Sequence, residues 1–209
     1  MEFDLHLTAH RSVVRESLKG IVWTIFFHRL FGPITPTTHE FLDITYPMVA
    51  DQPELDATID QNIDHLIKKH LGHQSAPSEG VLLVQFLDEN QAKAKKKSGW
   101  FGQITDGRND SVPWETWRIF VQCAPLASPE HLASLTDNTK AFLRPSLASF
   151  EQCLEQITSY VDRHKDHIPP IMTLDVAPFP YKMEVLANAQ GARTGEDESW
   201  SHYIKKMMD

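Results

Sequence analysis

Hydrophobic and polar residues alternate with two different periods along this chain of 209 residues, and each change of period marks the boundary of an element. A period of two is typical of a strand, because successive side chains of a strand point to opposite faces of the sheet. It predicts strands at Phe3–Leu7, Phe41–Val49 and Tyr181–Val185. The residues before the second strand, Ile34–Thr38, are rich in threonine and proline, and they are predicted to form a loop.

Two further strands are predicted from their apolar content. Gly80–Leu87 is almost continuously apolar, which is typical of a central strand covered on both faces. Another strand is predicted from Val112 to Cys123, with one core face and one mixed face that lies under a loop or at an interface. The predicted core face carries Trp117, Ile119, Val121 and Cys123, and the mixed face carries Trp114, Thr116, Arg118 and Phe120.

A period near 3.6 predicts long amphipathic helices at both ends of the chain. The first covers residues 12–30. A second helical region begins at Ser128, whose hydroxyl can cap the first turn, and ends before Pro169. Pro145 lies inside this region and predicts a break or kink near Leu143, because proline lacks the N–H group that a helix interior requires.

A helix is also predicted in the middle of the chain. Asp51 and Glu54 have the spacing of a capping box, and Pro53 lies in the first turn. Gly72 is the predicted end. The apolar stripe between these signals consists of Leu55, Ile59, Ile63, Leu66 and Ile67.

The order of these elements predicts an α+β fold in a single domain, because strands and helices follow one another without repeats or a second hydrophobic core. The domain is expected to cover residues 1–188 and to include a long loop at residues 93–111. The remaining residues, 189–209, are polar and contain glycine, and they are expected to form a mobile tail. Trp200 and Ile204 indicate a short C-terminal helix within that tail.

Composition and charge narrow the classes of protein that fit. A hydrophobic content of 41% is typical of a folded protein, and a formal charge of -8 argues against general affinity for nucleic acid. Cys123 and Cys153, without a CxxC motif, indicate a reducing compartment and predict two buried or free thiols. The N-terminus carries charges where a signal peptide has an apolar core, and the longest apolar run, Ile21–Phe27, is far shorter than the roughly 20 residues of a membrane span. The chain is therefore expected to be cytoplasmic.

The sequence lacks the motifs of the common enzyme classes: there is no GxSxG, no glycine-rich phosphate loop and no HExxH. His70 with His73, and the polar cluster at residues 162–167, do not supply the complete set of ligands that zinc requires. They are interpreted as solvated polar side chains. His28 is interpreted as a structural histidine, because no nucleophile or acid partner accompanies it. The sequence therefore predicts neither an enzyme nor a bound metal or cofactor.

After these exclusions, one stretch of the sequence remains as a candidate for binding a partner. The run Lys93–Lys97 contains four lysines, and Trp100 and Phe101 follow it between two glycines. Lysines beside exposed rings suit an anionic membrane surface or a single-stranded nucleic acid. Exposed rings suit a protein partner equally well, because aromatic residues dominate interface hot spots. The hydrophobic effect instead favours rings that fold back onto the domain. The residues alone leave two interpretations equally open: the rings are exposed and bind a partner, or they fold back and cover the domain.

Four stretches together resemble the autophagy-related protein 101 family, whose members are single HORMA domains. They occur in family order over almost the whole chain, and the third is the most specific. The four stretches are Ile25–Arg29, Phe41–Tyr46, Val112–Trp117 and Tyr181-Lys182.

The resemblance implies a HORMA fold, in which a mostly antiparallel sheet packs long helices on one face. It implies an adaptor without catalysis. Family members pair with the HORMA domain of autophagy-related protein 13, stabilise it and support the kinase complex that starts autophagosome formation. The short segment between Pro170 and Tyr181 agrees with an open-like form that does not switch. The implied location is the cytoplasm, with recruitment to the preautophagosomal structure.

The resemblance also implies a role for Trp100 and Phe101. The family carries an exposed loop, the WF finger, which recruits downstream autophagy factors, and these two residues fall in its place. One residue separates the rings in the family pattern, whereas here they are adjacent. We expect the loop at residues 93–111 to project from the body and to present both rings to a protein. The alternative is a small module that binds nucleic acid or an anionic membrane through Lys93–Lys97 and the same rings.

Overall fold

The structure is a computed structural model that describes residues 1–72, 77–88, 113–124 and 139–187. The structure contains both helices and strands, as the sequence predicted, and the predicted α+β class is confirmed. In chain order the elements are β1 (Glu2–His10), α1 (Val14–Phe27), β2 (Pro36–Phe41), β3 (Ile44–Val49), α2 (Pro53–Lys69), β4 (Ser78–Leu87), β5 (Pro113–Ala124), α3 (Thr139–Arg163) and β6 (Tyr181–Leu186).

Within the described residues, the main sheet has four strands in the order β1-β5-β4-β6. β4 pairs antiparallel with both β5 and β6, whereas β1 pairs parallel with β5, so the sheet is mostly antiparallel. The predicted central position of β4 is correct. The predicted faces of β5 are also correct, because Trp117, Ile119, Val121 and Cys123 are all buried.

The prediction of one strand at Phe41–Val49 after a loop is wrong. β2 and β3 form an antiparallel hairpin, and the chain reverses at Leu42 and Asp43. Both turn residues have positive φ angles, 50° and 71°, which match the twist of the strands that the turn connects. The residue types at this turn do not predict it, since leucine rarely adopts the left-handed conformation.

The helix starts differ from the predictions in detail. α1 covers Val14–Phe27 and is shorter at both ends than the predicted 12–30. The predicted capping box is wrong: α2 begins at Pro53 after Gln52, and no side chain caps it. Asp51 lies before the helix with a φ angle of 60°. Proline in the first turn is confirmed.

Of the break or kink predicted near Leu143-Arg144, the break is wrong, because α3 continues from Thr139 to Arg163 with Pro145 inside it, and the kink stays a prediction. The predicted start at Ser128 lies outside the described residues. The helix runs along β1 and contacts it through two serine hydroxyls. The backbone N–H groups of Thr8 and His10, on the free edge of β1, donate to the hydroxyls of Ser149 and Ser146 at 2.9 Å each. α3 therefore covers a strand edge that would otherwise offer unpaired backbone groups.

The core lies between the sheet and the helices. Its largest fully buried side chains include Trp23, Phe26, Trp117 and Phe150. Cys123 and Cys153 are buried free thiols, as predicted. The helices in the described part of the chain fall short of the length and apolarity that crossing a membrane requires.

Candidate functional site

The residues predicted to bind a partner, Trp100 and Phe101, lie outside the described residues, and so does the run Lys93–Lys97. Their exposure and contacts therefore stay a prediction. The structure describes the two ends of the segment that carries them, at Asp88 and Pro113.

A buried polar network surrounds Glu115 on β5. Its carboxylate accepts two hydrogen bonds from Arg29, at 2.8 Å from Nε to Oε1 and 2.7 Å from Nη2 to Oε2. The indole N–H of Trp117 donates to Oε1 at 2.5 Å, and His167 Nε2 lies 2.6 Å from Oε2. The side chains of Glu115 and Arg29 are 0% and 1% exposed.

This network connects three separate parts of the chain. Arg29 follows α1, Glu115 lies on β5, and His167 follows α3. A buried charge is tolerated only when it is paired and hydrogen-bonded, and the two-pronged contact between Arg29 and Glu115 satisfies both groups. Sequence reasoning missed the pair, since 86 positions separate the two residues. Both lie in stretches that carry the family resemblance, which was the available signal.

Trp114 lies beside this network and organises the aromatic contacts at the end of β5. Its ring is 5.9 Å from Phe86, 5.4 Å from His167 and 4.9 Å from Phe179, measured between centroids. The guanidinium carbon of Arg29 lies 6.0 Å from the same ring. The first residues of β5 therefore lie in a well-packed part of the body.

The other residues considered for chemistry do not assemble into a site. No group of three or more potential metal ligands lies together within the part of the chain that the structure describes. His73, which the sequence analysis considered together with His70, lies outside the described residues. Burial lowers the pKa of His70, with smaller effects from Lys69 and His65. Burial and then the charge of Arg29 lower the pKa of His28, which favours its neutral form.

A surface groove, here called the pairing groove, opens where α1, the β2–β3 hairpin and α3 meet. It encloses about 670 Å³. Its apolar residues are Ile44, Pro47 and Leu154. Four carboxylates also line the groove, from Asp43 of the hairpin turn and from Glu151, Glu155 and Asp162 of α3. Protein interfaces combine apolar and polar groups, and this lining contains both.

Comparisons with known proteins agree on one family. The model of the family described as Autophagy-related protein 101 matches residues 6–175, a range that includes the Glu115 network and the pairing groove. A protein named Autophagy-related protein 101 from Arabidopsis thaliana is 28% identical over 192 residues, which cover 86% of this chain and 83% of that protein. A protein of the same name from Schizosaccharomyces pombe is 24% identical over 194 residues, covering 92% of this chain and 86% of its own length.

Proposed function

The chain belongs to the autophagy-related protein 101 family and has an autophagy-related role, and we propose that it acts there as a non-enzymatic adaptor. In this proposal residues 1–188 form one HORMA domain in an open-like state. The domain pairs one-to-one with the HORMA domain of autophagy-related protein 13. The pair supports the kinase complex that starts autophagosome formation, and it is recruited to the preautophagosomal structure.

The arrangement of the sheet supports an open-like domain that does not switch. A switch of HORMA type moves a C-terminal segment and needs free strand edges. The edge of β1 is already occupied by hydroxyls of α3, Ser146 and Ser149. Removing the contact with Ser146 would leave the buried backbone N–H of His10 without its partner, which is costly.

The pairing groove is the observation that carries the proposal. Three elements distant in sequence form its walls, so the groove exists only in the folded domain. A partner that inserts an apolar side chain between Ile44 and Leu154 would bury apolar area on both proteins. Because such a partner binds only the folded state, each protein stabilises the other by mass action, by about 2.7 kcal/mol when the partner is at 100 times its Kd.

Trp100 and Phe101 recruit downstream autophagy factors in this proposal. The packed end of the segment supports this role, since the rings of a projecting loop need a fixed base. The backbone N–H of Leu87 donates to the carbonyl of Pro180 at 2.8 Å, next to the point where the segment leaves β4. No described contact favours the alternative of a nucleic-acid or membrane module.

The pairing is tested with Leu154→Arg and the purified HORMA domain of autophagy-related protein 13. Leu154 is half-buried in the groove. We expect the unchanged chain to co-elute one-to-one from a sizing column and the variant to elute alone, because the long, charged arginine removes an apolar contact and fills the groove that the partner's side chain would enter.

Gln122→Arg is the matched control for charge, because Gln122 is exposed on β5 away from the groove. It should pair normally. Thermal unfolding verifies that both variants are folded. A folded Leu154→Arg variant that still pairs with unchanged affinity would contradict the assignment of the groove.

A further inference from the structure

The turn of the β2–β3 hairpin carries an unfavourable residue for its backbone conformation. Leu42 and Asp43 connect the paired residues Phe41 and Ile44, and their φ angles are 50° and 71°. Two-residue turns of this kind favour asparagine or glycine, which adopt positive φ angles at little cost. Aspartate tolerates the conformation, whereas the Cβ of a leucine approaches the following carbonyl oxygen too closely. Leu42 therefore strains the turn.

The strands on both sides hold this turn in place. Phe41 and Ile44 are partly buried against the core, and the ring of Phe41 lies 6.5 Å from that of the fully buried Phe150. Beyond the other end of the hairpin, the backbone N–H of Ala50 donates to the carbonyl of Thr35 at 3.0 Å. The hairpin is thus fixed on the body, and the turn keeps its conformation despite the leucine.

The side chain of Leu42 is not rewarded by burial in the domain itself. It is 37% exposed, which places it among the few large hydrophobic side chains of the described residues that face solvent. Within the described part of the chain, the core and the side chains packed against it include both flanking residues, Phe41 and Ile44, but not Leu42. Residues held in disfavoured backbone conformations cluster at binding sites, where the strain is part of the function.

The strained turn lies at the edge of the pairing groove. Asp43, the second residue of the turn, lines the groove, and Ile44 and Pro47 of β3 line it next to the turn. Leu42 directly precedes these residues in the chain. A protein that docks in the groove therefore reaches the turn without crossing any other element.

We propose that Leu42 is an anchor of the pairing interface and enters an apolar pocket on the partner domain. This inference rests on the proposed function and names the residue and the partner chemistry on which that pairing depends. Glu151 and Glu155 line the opposite wall of the groove, and none of the described lining residues is a lysine or an arginine. Charge complementarity therefore places a basic side chain beside the apolar pocket of the partner.

Leu42→Asn tests the inference, because it should change stability and pairing in opposite directions. Asparagine adopts the left-handed conformation readily, so we expect the midpoint of thermal unfolding of the unbound chain to rise by about 2–4 °C. The loss of the apolar side chain should weaken pairing with the purified HORMA domain of autophagy-related protein 13 by about 10-fold in Kd, measured by isothermal titration calorimetry.

Two further variants are matched controls. Leu174→Asn is the same change at a leucine that is 90% exposed and does not line the groove, and it should leave pairing unchanged. Leu42→Met keeps an apolar side chain at the turn and should pair within about twofold of the unchanged chain. Hydroxyl-radical footprinting adds a direct measurement: Leu42 should become protected in the complex, whereas Leu174 should stay reactive.

The outcomes separate the inference from the proposed function. Unchanged pairing of Leu42→Asn, or equal weakening by Leu174→Asn, overturns the inference and leaves the proposed pairing intact. A lower unfolding midpoint of Leu42→Asn also overturns it, because Leu42 would then stabilise the unbound domain and not the complex. Failure of the unchanged chain to pair overturns the proposed function and the inference with it.

Discussion

Two clusters of ion pairs in this molecule use the same chemical groups in opposite surroundings. One is the network of Glu115 with Arg29, which is 0–1% exposed. The other, here called the ladder, joins α1 to α2 at the surface, and its side chains are 17–43% exposed. The ladder consists of Arg15 and Lys19 on α1 and of Asp56, Asp60 and Asp64 on α2.

The two clusters differ in whether water can solvate a charged side chain once its partner has been removed. In the ladder, water solvates each charge once its partner is removed, so each pair contributes little. Glu115 and Arg29 are buried from solvent, and removing one partner leaves the other charge buried without compensation. The buried network therefore fixes how the end of α1, β5 and the residues after α3 fit together, whereas the ladder adds a small attraction between two helices.

The largest effect that this comparison predicts is that of Glu115→Gln. The amide keeps the shape of the side chain but leaves the guanidinium of Arg29 buried without a counter-charge. We expect the free energy of unfolding to fall by about 3–5 kcal/mol, measured by urea denaturation. Glu79→Gln, the same change on an exposed strand position, should alter it by less than about 0.5 kcal/mol. Equal small effects at both positions would show that burial does not distinguish the clusters.

The elements that appear as a periodic pattern of apolar residues were predicted from the sequence. Features that depend on contacts between residues distant in the chain were not. The buried faces of β4 and β5 could be predicted, because the apolar residues of these strands form part of the core. The hairpin turn was not, because Leu42 adopts a left-handed conformation that its residue type disfavours. The contacts of Ser146 and Ser149 on α3 with β1 join residues about 140 positions apart, which no local pattern contains.

The candidate sites show the same limit. The two members of the pair Arg29–Glu115 belong to different elements, and neither residue type is unusual alone. The exposure of Met172 and Leu174 could not be predicted either, because a stretch rich in proline and apolar residues is typical of an ordinary connection between a helix and a strand. The pairing groove exists only where three elements meet.

A second prediction concerns Tyr46, a buried residue near the ladder. Burial, and then the negative charges of Glu16, Asp56 and Asp60, raise the pKa of Tyr46 from 10.0 to about 12. Because the folded state holds this proton more tightly, the stabilisation is complete below pH 10 and is lost as the pH rises towards 12.

We therefore expect Tyr46→Phe to reduce the loss of stability between pH 9 and pH 11 by about 1.4 kcal/mol, the value of one pKa unit. Cys153 also titrates in this range, since burial raises the pKa of its thiol to about 11. The comparison is for that reason between the two chains at each pH, with unfolding followed by urea. An identical alkaline loss in both chains would mean that Tyr46 ionises as freely in the folded state as in the unfolded state.

The smallest effect is predicted for Asp60→Asn in the ladder. Asp60 contacts Arg15 at 3.3 Å and Lys19 at 3.0 Å, yet about a third of its side chain is exposed to water. We expect a loss of under about 1 kcal/mol at pH 7 and low salt. Burial opposes the charge on Lys19, but the hydrogen bonds that its ammonium group donates to Asp56 and Asp60 outweigh it and raise the pKa of that group, so Lys19 is charged at this pH.

Salt provides the sharpest form of this last test, because ions screen exposed charges and barely reach buried ones. In 1 M sodium chloride the difference between Asp60→Asn and the unchanged chain should vanish, while the cost of Glu115→Gln should remain. Denaturation with urea keeps the ionic strength under control during the measurement. A ladder cost that persists at high salt would show that Asp60 stabilises through the geometry of its hydrogen bonds and not through its charge, and the two clusters would then differ in degree of burial alone.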